Sequence, residues 1–153
     1  MFVVADSERV VKHSRNLILD PLYGHPDGVK RINDSDMRET VKELAQLDGA
    51  FVVSDDGIVL SACRYLDAFS KGISLPLGLG SRHMAAASIT KQTNSVAVVV
   101  SESSVVRIID DGAIVSEIIP ELWMFKRYSS HLSREGKKVE QEIIVSTVET
   151  RNK

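Results

Sequence analysis

The chain has 153 residues, the size of one ordinary domain, with 43% hydrophobic and 26% charged residues. That balance argues against general disorder, and a domain near this length hides roughly 68–70% of its unfolded surface. A net charge of −2 offers no bulk attraction to nucleic acid, so no nucleic-acid partner is expected. Cys63 is the single cysteine, which excludes an intramolecular disulfide and a cysteine-based metal site; it reads as a small buried residue. No apolar run approaches the roughly 18–20 residues needed to cross a bilayer. The N-terminus also lacks the basic, apolar and small-residue sections of a secretory signal, so a soluble, cytoplasmic protein with no membrane partner is expected.

In chain order, the spacing of Val10, Val11, Leu17 and Ile18 predicts a helix from about Ser7 to Leu19. Asp20 to Gly28, with Pro21, Gly24, Pro26 and Gly28, reads as a loop or linker. Residues 1–30 are therefore expected to be an N-terminal helix and linker, of the kind left from a preceding domain, with 31–153 as the domain proper. A helix from Asp34 to Leu47 follows, capped by Asp34 or Ser35, with Met37, Val41, Leu44 and Ala45 at helical spacing. Asp48-Gly49 ends it. Residues 50–54 and 58–64 flank the turn Asp55-Asp56-Gly57 and should pair as a hairpin. Tyr65 to Leu79 is irregular.

A helix is expected from Ser81 to Gln92, and Val96 to Val100 reads as a central strand buried on both faces. Val105 to Ile109 and Ala113 to Ile118 flank Asp110-Asp111-Gly112 as a second hairpin, which Pro120 ends. Glu135 to Lys138 is a charged break, and Val139 to Val148 reads as either a last strand or a helix, with Ile143, Ile144, Val145, Thr147 and Val148 favouring the strand. His13, His25 and His131 show no metal-ligand spacing and are taken as surface or loop residues. The fold class expected is α/β, a mixed central β-sheet built from hairpins and flanked by helices.

Residues 78 to 88, Gly-Leu-Gly-Ser-Arg-His-Met-Ala-Ala-Ala-Ser, carry the clearest chemical signal. A helix start has about four unpaired N–H groups and roughly half a positive charge, so it attracts anions. Gly78 and Gly80 permit close approach to the backbone, and Ser81, Arg82 and His83 add donors. This chemistry suits a phosphate group. Two further polar clusters stand at element junctions, Asp48-Gly49-Ala50 before a strand and Ser101-Glu102-Ser103 after one. Junctions at strand ends are where ligands bind in open α/β sheets. No Gly-Lys-Ser/Thr pattern is present, which argues against a phosphate-loop hydrolase or kinase.

In that order and at those intervals, Asp48-Gly49-Ala50, Gly80-Ser81-Arg82-His83-Met84-Ala85-Ala86 and Ser101-Glu102-Ser103 resemble the motifs of the diadenylate cyclase (DisA N-terminal) family. The resemblance covers about residues 38–120 and would make 31–153 the cyclase domain. It implies condensation of two ATP into cyclic di-AMP, a second messenger, with release of two pyrophosphates. It further implies Mg²⁺ or Mn²⁺ as cofactor and a homo-oligomer with active sites facing. By resemblance, Asp48, Gly49 and Ala50 are catalytic, and Gly80, Ser81, Arg82 and His83 bind phosphate. Arg64, Tyr65 and Leu66 would bind adenine, and Asp48 and Glu102 would hold the metal.

Three positions depart from the family pattern. Met84 stands where most bacterial members have a second arginine, Leu47 where some have a histidine, and Ser103 where a second glutamate is found. The Ser-Arg-His-Met-Ala-Ala-Ala version is similar to the archaeal branch. The alternative left open is a regulatory module that binds ATP or cyclic di-AMP with little turnover.

Overall fold

The computed structural model describes residues 1–67, 69, 71–122 and 124. His131, the charged break at 135–138 and the strand expected at 139–148 lie outside the described residues. The described residues form one mixed sheet of seven strands with helices on both faces, as the hairpin pattern led us to expect. The strands are β1 (Phe2–Val4), β2 (Ser14–Asn16), β3 (Ala50–Val53), β4 (Val59–Leu66), β5 (Val96–Val100), β6 (Val106–Asp110) and β7 (Ala113–Ile118). The helices are α1 (Ser7–Lys12), α2 (Ser35–Leu44) and α3 (Ser81–Gln92). The spatial order is β2-β4-β3-β1-β5-β6-β7, with β1 parallel to β3 and every other pair antiparallel.

The boundary expected near residue 30 is not found in the sheet. β1 lies between β3 and β5, and Val3 is fully buried in the core. Three residues are too few to show a period, so nothing in the sequence pattern reveals this strand. The first helix is also shorter than expected. It ends at Lys12, because Ser14–Asn16 pair with β4 as an edge strand. Leu17, Ile18 and Leu19 are then exposed rather than part of a helical face. Asp6, ahead of α1, accepts the Asn94 N–H at 2.8 Å, and Arg9 donates to the Gln92 carbonyl, so the N-terminal segment is tied to the end of α3.

Each face of the sheet has its own core. Val3, Val10, Val52, Leu66, Ala86, Ala87, Ile89, Ala97, Val99 and Ile109 pack together under α1 and α3. On the other face Met37, Val41 and Leu44 of α2 meet Leu22, Phe51, Val53 and Val59. Helix α2 begins where expected because the Asp34 carboxylate accepts the N–H groups of Asp36 (2.9 Å) and Met37 (3.3 Å), a side-chain cap worth about 1 kcal/mol. It covers β3 and β4 but does not reach β5. That corrects the expectation for Val96–Val100: Ala97 and Val99 are buried beneath α3, whereas Val96 and Val98 are half-buried and Val100 is exposed. The central strand is β1, with β5 beside it.

Helix α3 buries five consecutive residues, Ala86 to Thr90. The small side chains let it sit close to β5 and β6, and its polar groups find partners there. Thr90 Oγ1 accepts the Gly112 N–H at 3.1 Å, at the turn between β6 and β7. Ser88 Oγ accepts the Phe69 N–H at 2.6 Å, which pins the irregular chain ahead of the helix. No buried side-chain nitrogen or oxygen lacks a partner among the described residues. None of the helices described is long and apolar enough to cross a membrane.

Strand β4 is bulged against β3. Between the pairs Ala50–Arg64 and Val52–Ser61, β3 advances by two residues and β4 by three. Cys63, within the bulge, adopts a left-handed backbone with φ of +54°. Its thiol is buried, and burial first and then the Asp20 carboxylate push its pKa up, which suits a packing residue and not a nucleophile. Directly against this bulge lies Gly49, with φ of +105°. A Cβ there would stand 2.7 Å from the Cys63 carbonyl carbon and 2.8 Å from the Arg64 nitrogen. Gly49→Ala should therefore cost more than the ~1–3 kcal/mol of positive-φ strain alone. Urea unfolding would measure this loss, and unchanged stability would contradict the backbone contact.

Candidate functional site

The sequence brings Asp48, Gly80, Ser81, Arg82, His83 and Glu102 from three separate segments, and the fold places all six on one cleft of about 630 Å³. That volume lies within the range of small-molecule sites. Asp48 reaches the cleft because Gly49 lies flat on the β4 bulge, so the preceding residue turns outward at the start of β3. Gly49 and Ala50 do not line the cleft. Ala50 is fully buried and packs in the core, and the open side of Gly49 is filled by β4 backbone.

Gly80 is the N-cap of α3 and contributes no side-chain cap, and no acidic residue stands in the first turn. The N–H groups that open the helix therefore face the cleft without a competing carboxylate from their own helix. A Cβ at Gly80 would meet nothing within 4 Å, while Gly78 has φ of +92°, a conformation that favours glycine. Arg82 Nη2 donates to Asp48 Oδ1 at 3.0 Å. Both side chains are well exposed, so the pair adds little stability, but it sets a guanidinium beside a carboxylate at the rim.

His83 is buried in the cleft wall beside Arg107. Arg107 Nη1 stands 3.3 Å from its Nε2. A guanidinium has no acceptor, so Nε2 is the acceptor and the ring proton lies on Nδ1. Burial first, and then the Arg107 charge, hold the His83 pKa below its ordinary value, against an opposing pull from Glu117. The ring is therefore neutral at pH 7, a hydrogen-bonding group and not a cation.

Glu102 sits in the turn after β5, which Ser101 braces by accepting and donating across it. Ser101 Oγ bonds the Val105 carbonyl at 3.0 Å and the Ser103 hydroxyl at 2.9 Å. Among the described residues no group of three or more His, Cys, Asp or Glu side chains is placed to hold a metal ion. Asp48 and Glu102 offer two exposed carboxylates on the same cleft. Two carboxylates completed by phosphate oxygens and water are a donor set that Mg²⁺ or Mn²⁺ accepts.

Arg64, Tyr65 and Leu66 are not brought to the cleft lining. Arg64 donates to Ser14 Oγ (2.8 Å), Asn16 Oδ1 (2.9 Å) and the Ser14 and Val11 carbonyls, and so fastens β2 to β4. The Arg15 guanidinium lies 4.4 Å over the Tyr65 ring, and Leu66 is buried in the core. Met84 is half-buried and does not line the cleft either.

One residue of the cleft is missed by motif reasoning. Arg107 is the partner of Val99 on one side and of Glu117 on the other, on the sheet face beneath α3. Its period-2 neighbour Ile109 is fully buried. A charged residue at a core-facing position of an apolar strand was the signal available in the sequence.

Residues 2–114 match the family described as DisA bacterial checkpoint controller nucleotide-binding. A diadenylate cyclase of Methanocaldococcus jannaschii is 47% identical over 122 residues, which cover 78% of this chain and 38% of that protein. A diadenylate cyclase of Haloferax volcanii is 40% identical over 124 residues, 80% of this chain and 45% of that protein. The chain thus spans less than half the length of these curated relatives. A crystal structure of DacA from Staphylococcus aureus is similar at 26% identity over 54% of each chain, with a TM-score of 0.41. With the family pattern matched along most of its length and two archaeal relatives at this identity, the chain belongs to the DisA nucleotide-binding family.

Proposed function

We propose that the cleft is one half of a diadenylate cyclase site, which joins two ATP molecules into cyclic di-AMP and releases two pyrophosphates. The observation that carries this reading is the meeting of Asp48, the first turn of α3 and Glu102 on one cleft in a member of this family. Each 3′-oxygen attacks the α-phosphorus of the other nucleotide, and the bond from that phosphorus to the pyrophosphate oxygen breaks. Each 3′-hydroxyl gives up its proton.

Asp48 accepts the proton of the attacking hydroxyl, a role that needs an exposed carboxylate near the phosphate donors. The open start of α3, Ser81 and Arg82 bind the phosphate chain and stabilise charge on the α-phosphate and leaving pyrophosphate. Neutral His83 adds a hydrogen bond. Asp48 and Glu102 would hold Mg²⁺ or Mn²⁺, which neutralises phosphate charge when bound. Arg64, Tyr65 and Leu66 carry no base-binding role in this reading, because they do not line the cleft and the Arg64 and Tyr65 side chains are engaged with β2.

Asp48, Arg82 and Glu102 are exposed at the cleft, and the second nucleotide comes from a second copy of the chain facing them. Retention of a carboxylate at Asp48 favours turnover over simple sensing, since a sensor has little use for a base there.

Asp48→Asn should keep ATP affinity within a few-fold and abolish cyclic di-AMP formation; wild-type rates in that variant would remove Asp48 from the reaction. Turnover per chain should fall on dilution through the dimer–monomer transition, because each chain supplies half a reaction. A rate per chain that stayed flat across that transition would contradict the facing-copy arrangement.

A further inference from the structure

We propose that Arg107, on β6, is a second phosphate-binding guanidinium of the cleft, oriented by Glu117 and His83. The inference rests on the nucleotide reading above and names a residue outside its three motifs.

Arg107 lines the same cleft as the first turn of α3, although it lies 24 residues from His83 in sequence. A guanidinium has five N–H donors in a fixed plane. One, on Nε, goes to Glu117, the residue directly opposite on β7, and one, on Nη1, goes to His83 Nε2. Among the described residues the remaining three have no protein acceptor. Two bonds on a planar group fix its orientation, so those three donors are held in place before any ligand arrives.

The surroundings strengthen the case. The Arg107 side chain is only 15% exposed, and Val99, itself buried, is its partner on β5. Charge-assisted hydrogen bonds from a half-buried guanidinium are stronger than those from a rim residue such as Arg82, whose side chain is 58% exposed. Glu117 offsets the cost of placing a charge on this face, and it occupies the edge of the guanidinium that a ligand does not need. Packing alone would call for an apolar residue here, as at Ile109 two positions on. A charge with unused donors in a cleft that already collects anion-binding groups points to a ligand phosphate.

The test is calorimetric titration of the chain with ATP, inorganic tripolyphosphate and adenosine, in wild type, Arg107→Gln and Arg107→Lys. Arg107→Gln should weaken ATP and tripolyphosphate by about 10- to 100-fold and leave adenosine unchanged. Arg107→Lys, which keeps the charge without the fork, should fall between them and serves if the Gln variant does not fold. An NMR titration of His83 gives an independent reading. The charged groups facing its ring among the described residues are Arg107 from β6 and Glu117 from β7, so Arg107→Gln should move its midpoint upward.

Equal ATP and tripolyphosphate affinities in wild type and a folded variant would overturn the proposal and leave the cyclase reading standing. Equal loss for adenosine would overturn it too, as a general distortion of the site. A wild-type chain that binds ATP but forms no cyclic product would contradict the cyclase reading and leave the Arg107 comparison intact. Absence of any ATP or tripolyphosphate binding would overturn both.

Discussion

The close seating of α3 on β5 and β6 is the constraint on which the rest of the molecule depends. Ala86 and Ala87 allow the approach, Ile89 fills the core, and Thr90 and Ser88 spend their hydroxyls on the Gly112 and Phe69 N–H groups. With the C-terminal half of the helix held in this way, its N-terminus has a fixed position over the ends of β3 and β5. That is where Asp48 and Glu102 emerge. A helix free to slide by one turn, about 5.4 Å, would no longer present its first N–H groups to the same cleft.

The second constraint is opposite in character, a place where no side chain fits. Gly49 lies against the β4 bulge, and Cys63 accepts a left-handed backbone there so that the two strands stay paired on either side. The sheet thereby turns a carboxylate outward at the strand start, at the cost of local strain. Such strain is common where a site needs a group in a fixed place. Around the cleft the charges alternate, Arg82 with Asp48 and Arg107 with Glu117, so positive groups are held in position without a strong excess of one sign.

Much of this was legible in the sequence for local reasons. Asp34 announces the start of α2, the two Asp-Asp-Gly turns announce their hairpins, and the Gly-Ser-Arg-His run marks the start of α3 at Ser81. The three polar clusters could be named because each sits at a junction of elements with clear signals. What failed depended on distant partners. β1 is three residues long and owes its place to pairing with strands about 50 and 95 residues away. The side chain of Arg64 looked available for a ligand, yet it is consumed by β2, a strand that no periodicity reveals. Arg107 was hidden because its meaning lies in the sheet face it occupies, and a one-residue change of register would have turned it to the opposite face.

The central claim, that two facing copies of a cleft built from three segments carry out nucleotide condensation, is tested most directly by the products of the purified chain. The protein would be incubated with ATP and Mn²⁺ or Mg²⁺ and the mixture analysed by mass spectrometry. Cyclic di-AMP and pyrophosphate in a one-to-two ratio are the expected result. ATP returned unchanged at protein concentrations well above any dimer dissociation constant, with the nucleotide bound, would contradict the claim.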